Sequence, residues 1–171
     1  MEKNKLIFKA VIESNSIAVL ANMAREIWEE HYTPIIGKDQ VAYMVEKFQS
    51  TTAITNQIHD SYQYYTVCAI DNIGYLSFKQ QKDKTLFLSK IYLIKKYRGL
   101  GYGRQMMQFV LHQAQNLNCS SIVLTVNKYN TIAIQAYLKL GFIQRKDLVI
   151  DIGCGFVMDD FEMVYQLPQG E

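Results

Sequence analysis

The stretch Tyr97-Arg98-Gly99-Leu100-Gly101-Tyr102-Gly103-Arg104 joins a β-rich run to a helical pattern. Its glycines let main-chain N–H groups approach a ligand with no Cβ in the way, and the positive end of the following helix points the same way. Arg98 and Arg104 add charge-assisted contacts, so the stretch reads as a cradle for phosphate oxygens. Two nucleotide loops are excluded. No Gly-Lys-Ser/Thr closes the stretch as a Walker loop requires, and Arg104 stands where a dinucleotide fingerprint has its third glycine. The acidic ribose contact expected about 20 residues later is also missing, because no Asp or Glu occurs from Lys84 to Lys146. The plain alternative is a strand-to-helix turn that binds nothing.

Working outward, residues 85 to 94, 73 to 80 and 62 to 70 are aromatic and β-branched runs separated by Lys82-Asp83 and Asp71-Asn72, which predicts a three-stranded meander before the loop. Residues 5 to 12 read as a first strand. Ser14 to Ser16 offer capping side chains to a helix whose apolar stripe is Ile17, Leu20, Ala21, Ala24, Ile27 and Trp28, ending near Thr33-Pro34. Val41, Met44, Val45 and Phe48 mark a second helix after Gly37, and residues 52 to 59 a short third one. Beyond the loop, Met106, Val110, Ala114 and Leu117 form a helical stripe and residues 121 to 126 a short buried strand. Residues 130 to 140 are helical. Residues 142 to 150 and 161 to 167 read as final strands around Gly153-Cys154-Gly155. No repeat or low-complexity segment interrupts the chain.

With 171 residues, 49% of them apolar and 20% charged, the sequence fits one globular domain spanning residues 1–171. Charges such as Lys9, Glu13 and Lys90 break every apolar run below the roughly 18 residues of a membrane helix. Lys9 and Glu13 also spoil the apolar core of a signal peptide, so the expected location is cytoplasmic. Cys68, Cys119 and Cys154 are odd in number and form no CxxC pair, which argues for reduced thiols and against a metal cluster. The net charge of +2 hides a split: residues 84 to 146 carry ten Lys or Arg and no acid, and the rest carries 8 basic against 16 acidic groups. The pattern suits an anionic ligand for the basic segment and a cationic one elsewhere, or two solvated faces of opposite sign. Nucleic acid is not expected, because neither an RNA-binding aromatic signature nor a helix-turn-helix pattern appears.

Arg98-x-x-Gly101-x-Gly103 resembles the Q/R-x-x-G-x-G/A pyrophosphate loop of the GNAT superfamily of acetyl-CoA-dependent N-acetyltransferases. Val126-Asn127-x-x-Asn130-x-x-Ala133-Ile134-x-x-Tyr137-x-x-x-Gly141-Phe142 resembles the superfamily's other cofactor motif, in the right order and separation. The resemblance is tightest over residues 91 to 104 and 126 to 142, and in appearance the chain is most similar to bacterial spermidine/spermine-type members. It implies an α/β (α+β) fold with a mixed, mostly antiparallel twisted sheet of about seven strands flanked by helices. Lys95 departs from the pattern, since a proline is frequent three residues before the motif arginine.

Carried over by position, the resemblance implies that main-chain groups of Ile91, Tyr92 and Leu93 hold pantetheine, where relatives splay two strands. Arg98, Gly99, Leu100, Gly101, Tyr102, Gly103 and Arg104 would hold the pyrophosphate of acetyl-CoA, with Asn130, Ala133, Tyr137 and Lys139 as further cofactor contacts. Asn130 reads equally well as a helix N-cap, and Lys139 as a solvated lysine. Tyr137 matches the tyrosine that faces the cofactor sulfur and is the catalytic candidate; its alternative is a core aromatic beside Ala133, Ala136 and Leu140. No acid occurs in Leu88-Ser89-Lys90-Ile91-Tyr92, where several relatives have one. Glu29, Glu30, Asp159, Asp160 and Glu162 are the candidates for binding or deprotonating a cationic acceptor, and His31 has the best intrinsic proton affinity for a base. The expected partner is a small primary amine such as a polyamine. Protein or peptide amines, a non-catalytic CoA sensor and a homodimer remain open, with no membrane partner and no metal.

Overall fold

The computed structural model describes residues 5–168, which divide into two compact units: residues 5–79 with 90–110, and residues 80–89 with 111–168. The first unit contains β1 (Ile7–Ala10), the helices α1 (Ser14–Ile36), α2 (Lys38–Gln49) and α3 (Thr51–His59), β2 (Gln63–Cys68) and almost all of β3 (Asn72–Gln80). It also holds the last residues of β4 (Thr85–Leu93), a 3-10 turn at Lys95–Tyr97 and the first part of α4 (Tyr102–Asn116). The second unit contains the start of β4, the end of α4, β5 (Ser121–Asn127), α5 (Thr131–Lys139), β6 (Ile143–Gly153) and β7 (Phe156–Gln166). The strands are hydrogen-bonded in the order β1-β2-β3-β4-β5-β7-β6. β4 pairs with β5 in parallel, and β1 with β2, β2 with β3, and β7 with both β5 and β6 are antiparallel. This is the expected seven-stranded, mostly antiparallel α/β (α+β) sheet.

The apolar stripe read along α1 is the stripe that is buried. Ile17, Leu20, Ala21, Ala24 and Ile27 pack with Val11, Met23, Ile54, Tyr64 and Tyr75 into one core cluster. Each such aliphatic side chain contributes about 1.5 to 3 kcal/mol on burial, so the 3.6-residue spacing decides which face of the helix meets the sheet. Two helix ends differ from the sequence reading. The expected serine cap of α1 is not made: Glu13 holds the N-cap position without a side-chain bond, and the Ser16 hydroxyl donates to the Glu13 carbonyl. The expected stop at Thr33-Pro34 comes early, because a proline in a last turn removes only one main-chain bond, and the Gly37 N–H reaches the Thr33 carbonyl to close the helix past it. The final hairpin is longer than read, with β6 ending at Gly153 and β7 beginning at Phe156. The cysteines are free thiols, Cys68 and Cys119 buried and Cys154 exposed.

Candidate functional site

The parallel pairing of β4 with β5 runs from Thr85↔Ser121 to Phe87↔Val123 and stops there, although β4 continues to Leu93. On the other side β3 comes very close: a Cβ on Gly74 would lie 2.2 Å from the Tyr92 carbonyl oxygen, so only glycine lets the strands approach this way. The Ile94 N–H donates to the Ile73 carbonyl at 2.9 Å. After the 3-10 turn the chain passes through Gly99 at φ +76° and Gly101 at φ +85°, conformations that side chains with a Cβ rarely adopt. It then enters α4 at Tyr102, where the first-turn N–H groups have no partners within the helix. Gly101 and Arg104, with Lys5, Gln105 and Gln108, also line an open hollow of about 450 Å³.

Two basic residues next to this strand behave differently from free surface charges. The Arg98 Nε–H donates to the Leu93 carbonyl at 3.0 Å, and its Nη1 lies 3.1 Å from Nδ1 of His31 on α1. Lys90 is buried on β4; its ammonium donates to Gln57 Oε1 at 2.7 Å and lies 5.2 Å from the centre of the Tyr64 ring. Burial lowers the Lys90 pKa to about 7. Tyr64 shares Gln57 Oε1, donating its hydroxyl hydrogen at 2.5 Å. Sequence reading treated Lys90 as one more cation, yet period-two alternation with Leu86 and Leu88 already put it on the inner face of the strand.

Tyr92 continues that face into an aromatic cluster that was not anticipated. Its ring lies 5.7 Å from Trp28, 6.3 Å from Tyr32 and 5.3 Å from Tyr75, and Trp28 and Tyr32 lie 4.4 Å apart. The Tyr75 hydroxyl donates to buried Gln49 at 2.9 Å. The signal was present in the spacing: Trp28 and Tyr32 are four apart on α1, hence on one helix face. Glu29 and Glu30 project elsewhere from that helix, toward Arg25 at 3.9 Å and Lys95 at 4.0 Å.

In the second unit, Asn130 occupies the N-cap position of α5 and is buried, but its side chain makes no cap bond. Tyr137 is half-buried, with its ring 5.7 Å from Phe142, which in turn lies 5.5 Å from Tyr165. Ala133 is half-buried on the same helix, and Lys139 is exposed in its last turn. Asp159 and Asp160 are neighbours in β7 and so point to opposite faces. Asp159 pairs with Lys128 at 2.7 Å. Asp160 is buried, and loss of solvation raises its pKa to about 6, partly offset by a hydrogen bond from Thr125.

The donor set around the loop fits a pyrophosphate: main-chain N–H groups at a 15-residue helix start, glycines at positive φ, and Arg104 exposed beside them. Comparison with known proteins agrees with that chemistry. The family model described as "Acetyltransferase (GNAT) family" matches residues 21–142. A Mycobacterium tuberculosis protein described as an uncharacterized N-acetyltransferase is 26% identical over 125 residues, covering 72% of this chain and 80% of its own. The structure of PaiA N-acetyltransferase from Thermoplasma acidophilum in complex with coenzyme A superposes with a TM-score of 0.77 at 18% identity, covering 95% of this chain and 99% of that one. The dodecameric spermidine N-acetyltransferase from Vibrio cholerae gives 0.66 at 19% identity, covering 96% and 95%.

Proposed function

Because the chain belongs to the acetyltransferase (GNAT) family, with acetyl-CoA as donor, we propose that it acetylates a small cationic primary amine of the polyamine type, with residues 1–171 acting as one catalytic domain. The observation that supports the donor half is that Ile91–Leu93 of β4 lead directly into the positive-φ glycine loop at the start of α4. The pantetheine amides would bond to that stretch as an added strand does. The pyrophosphate would take the N–H groups of the loop and the charge of Arg104. Asn130, whose amide makes no cap bond, and Tyr137 would contact the rest of the donor.

When bound, acetyl-CoA supplies an activated thioester carbonyl. An amine with a pKa near 10.4 is mostly ammonium at neutral pH and must lose a proton before it attacks. A main-chain N–H near Leu93 would be a donor of the kind that stabilises a developing oxyanion. Tyr137 would face the departing sulfur. A phenol near 10 against a thiol near 8.5 makes complete proton donation uphill by about 2 kcal/mol, so its hydroxyl acts by hydrogen bonding to the thiolate.

The cationic acceptor is supported by the acids outside the basic segment, which carries none of its own. Glu29 and Glu30 pair with the exposed cations Arg25 and Lys95; such pairs are worth about 0 to 1 kcal/mol, so a polyamine can replace those partners. A spermidine acetyltransferase is among the similar structures, and its dodecameric state makes self-association of this chain part of the proposal. The test is thiol release from acetyl-CoA across a panel of amines. Polyamines are expected to outperform neutral and acidic amino acids, with kcat/KM falling as salt rises. A preference for an anionic amine would overturn the acceptor assignment, and turnover only with peptides would transfer the activity to protein amines. CoA binding without turnover on any amine would leave a sensor.

A further inference from the structure

The peptide unit between Leu93 and Ile94 is held at both ends: Arg98 Nε–H donates to its carbonyl at 3.0 Å, and its N–H donates to the Ile73 carbonyl at 2.9 Å. A planar peptide fixed at both ends cannot rotate, so the orientation of the adjoining Leu93 main chain is fixed too. Arg98 belongs to the glycine loop, with its own N–H on the Lys95 carbonyl at 3.0 Å. Its guanidinium therefore fastens the loop to the end of β4. The same guanidinium reaches across to His31 Nδ1 at 3.1 Å, adding α1 to the assembly.

We propose that Arg98 is a positioning residue, a clamp that sets the distance between the pantetheine edge and the pyrophosphate loop, and that neutral His31 is its anchor on α1. The inference rests on the acetyl-CoA reading above and gives the Arg98 guanidinium, expected from sequence to contact phosphate, main-chain and imidazole acceptors instead. Guanidinium nitrogens only donate, so His31 Nδ1 must accept and the imidazole proton must sit on Nε2. That assignment occupies the basic nitrogen of His31 and removes it as a candidate base. Protonation of His31 takes away the lone pair and sets two cations 3.1 Å apart, which opens the clamp. Among the groups facing this imidazole are Arg98 from the loop and the Tyr32 ring, 4.7 Å away on α1, while neighbouring Glu30 is turned toward Lys95. Acid that protonates this imidazole therefore opens the clamp.

Three measurements test it. Long-range nitrogen-proton NMR of the ligand-free protein should find His31 in the Nε2–H tautomer at pH 8; the Nδ1–H tautomer would overturn the clamp whether or not CoA binds. Calorimetry with CoA should find Arg98→Lys weaker by about tenfold, because an ammonium keeps the charge but lacks the fork that serves two acceptors. Affinity within twofold of wild type would mean that Arg98 acts only as a charge. CoA carries a phosphate that itself titrates near pH 6, so the pH arm compares proteins rather than single values. From pH 8 to pH 5.5 wild type should lose more affinity for CoA than His31→Asn, which offers an acceptor near the Nδ1 position and cannot protonate. Equal losses in the two proteins would contradict the pH-sensitive anchor. Circular dichroism confirms that each variant is folded, and absence of any CoA binding by wild type would defeat the acetyl-CoA reading separately from the tautomer result.

Discussion

At the scale of single residues, Lys90 and Tyr137 carry the sharpest expectations. Burial holds the Lys90 pKa at about 7, against about 10.4 for an exposed lysine. Between those values the unfolded chain binds the proton and the folded chain does not, so stability rises with pH across that window and the penalty is complete below pH 7. Lys90→Met should therefore stabilise the fold at pH 6 by up to about 5 kcal/mol, less what the bond to Gln57 contributed, and the gain should shrink toward pH 10. Urea midpoints at pH 6, 8 and 9.5 check this; a gain that does not change with pH would contradict the buried-ammonium account. Tyr137→Phe keeps the ring packed near Phe142 and removes only the hydroxyl. Turnover should fall at least tenfold while acetyl-CoA affinity changes little, the pattern of an interaction made in the transition state. Equal loss in both would make the hydroxyl a binding group.

At the scale of elements, periodicity located what burial decides and missed what individual contacts decide. The stripe from Ile17 to Trp28 on α1 and the alternation along β4 were legible because apolar burial depends on spacing. The end of α1 was not, since one main-chain bond at Gly37 outweighed the usual effect of Pro34. Asn130 shows the same limit, as it has the position and residue type of a cap and makes no cap bond. The direction of Arg98 was out of reach for a different reason: sequence placed it on the loop, but its acceptors lie 5 and 67 residues away along the chain. Gly74 is comparable, a glycine inside a strand whose purpose appears only when Tyr92 is brought beside it. Gly74→Ala must push β4 away, because the Cβ would meet main-chain oxygen rather than a flexible side chain. A loss of about 1 to 3 kcal/mol is expected, together with weaker CoA binding. Thermal denaturation and calorimetry measure the two effects, and an alanine variant as stable as wild type would show that the strands have room to relax.

At the scale of the whole molecule, the two motifs, the strand order and the family match converge on acetyl transfer from acetyl-CoA. The charge split across the sequence favours an anionic donor and a cationic acceptor, and it is the feature that most narrows the acceptor class. Among the described residues no helix is long and apolar enough to cross a membrane. On the proposed reading, Ile91–Leu93 of β4 and the glycine loop hold acetyl-CoA for attack by an amine. It is tested most directly by the initial rate of amine-dependent thiol release from acetyl-CoA, measured for wild type and for Gly101→Val, whose residue 101 sits at φ +85° where the donor phosphates are expected. The account predicts release that depends on both acetyl-CoA and a polyamine in wild type and is lost in the variant while its far-UV circular dichroism stays close to wild type; undiminished release by a folded Gly101→Val protein would contradict it.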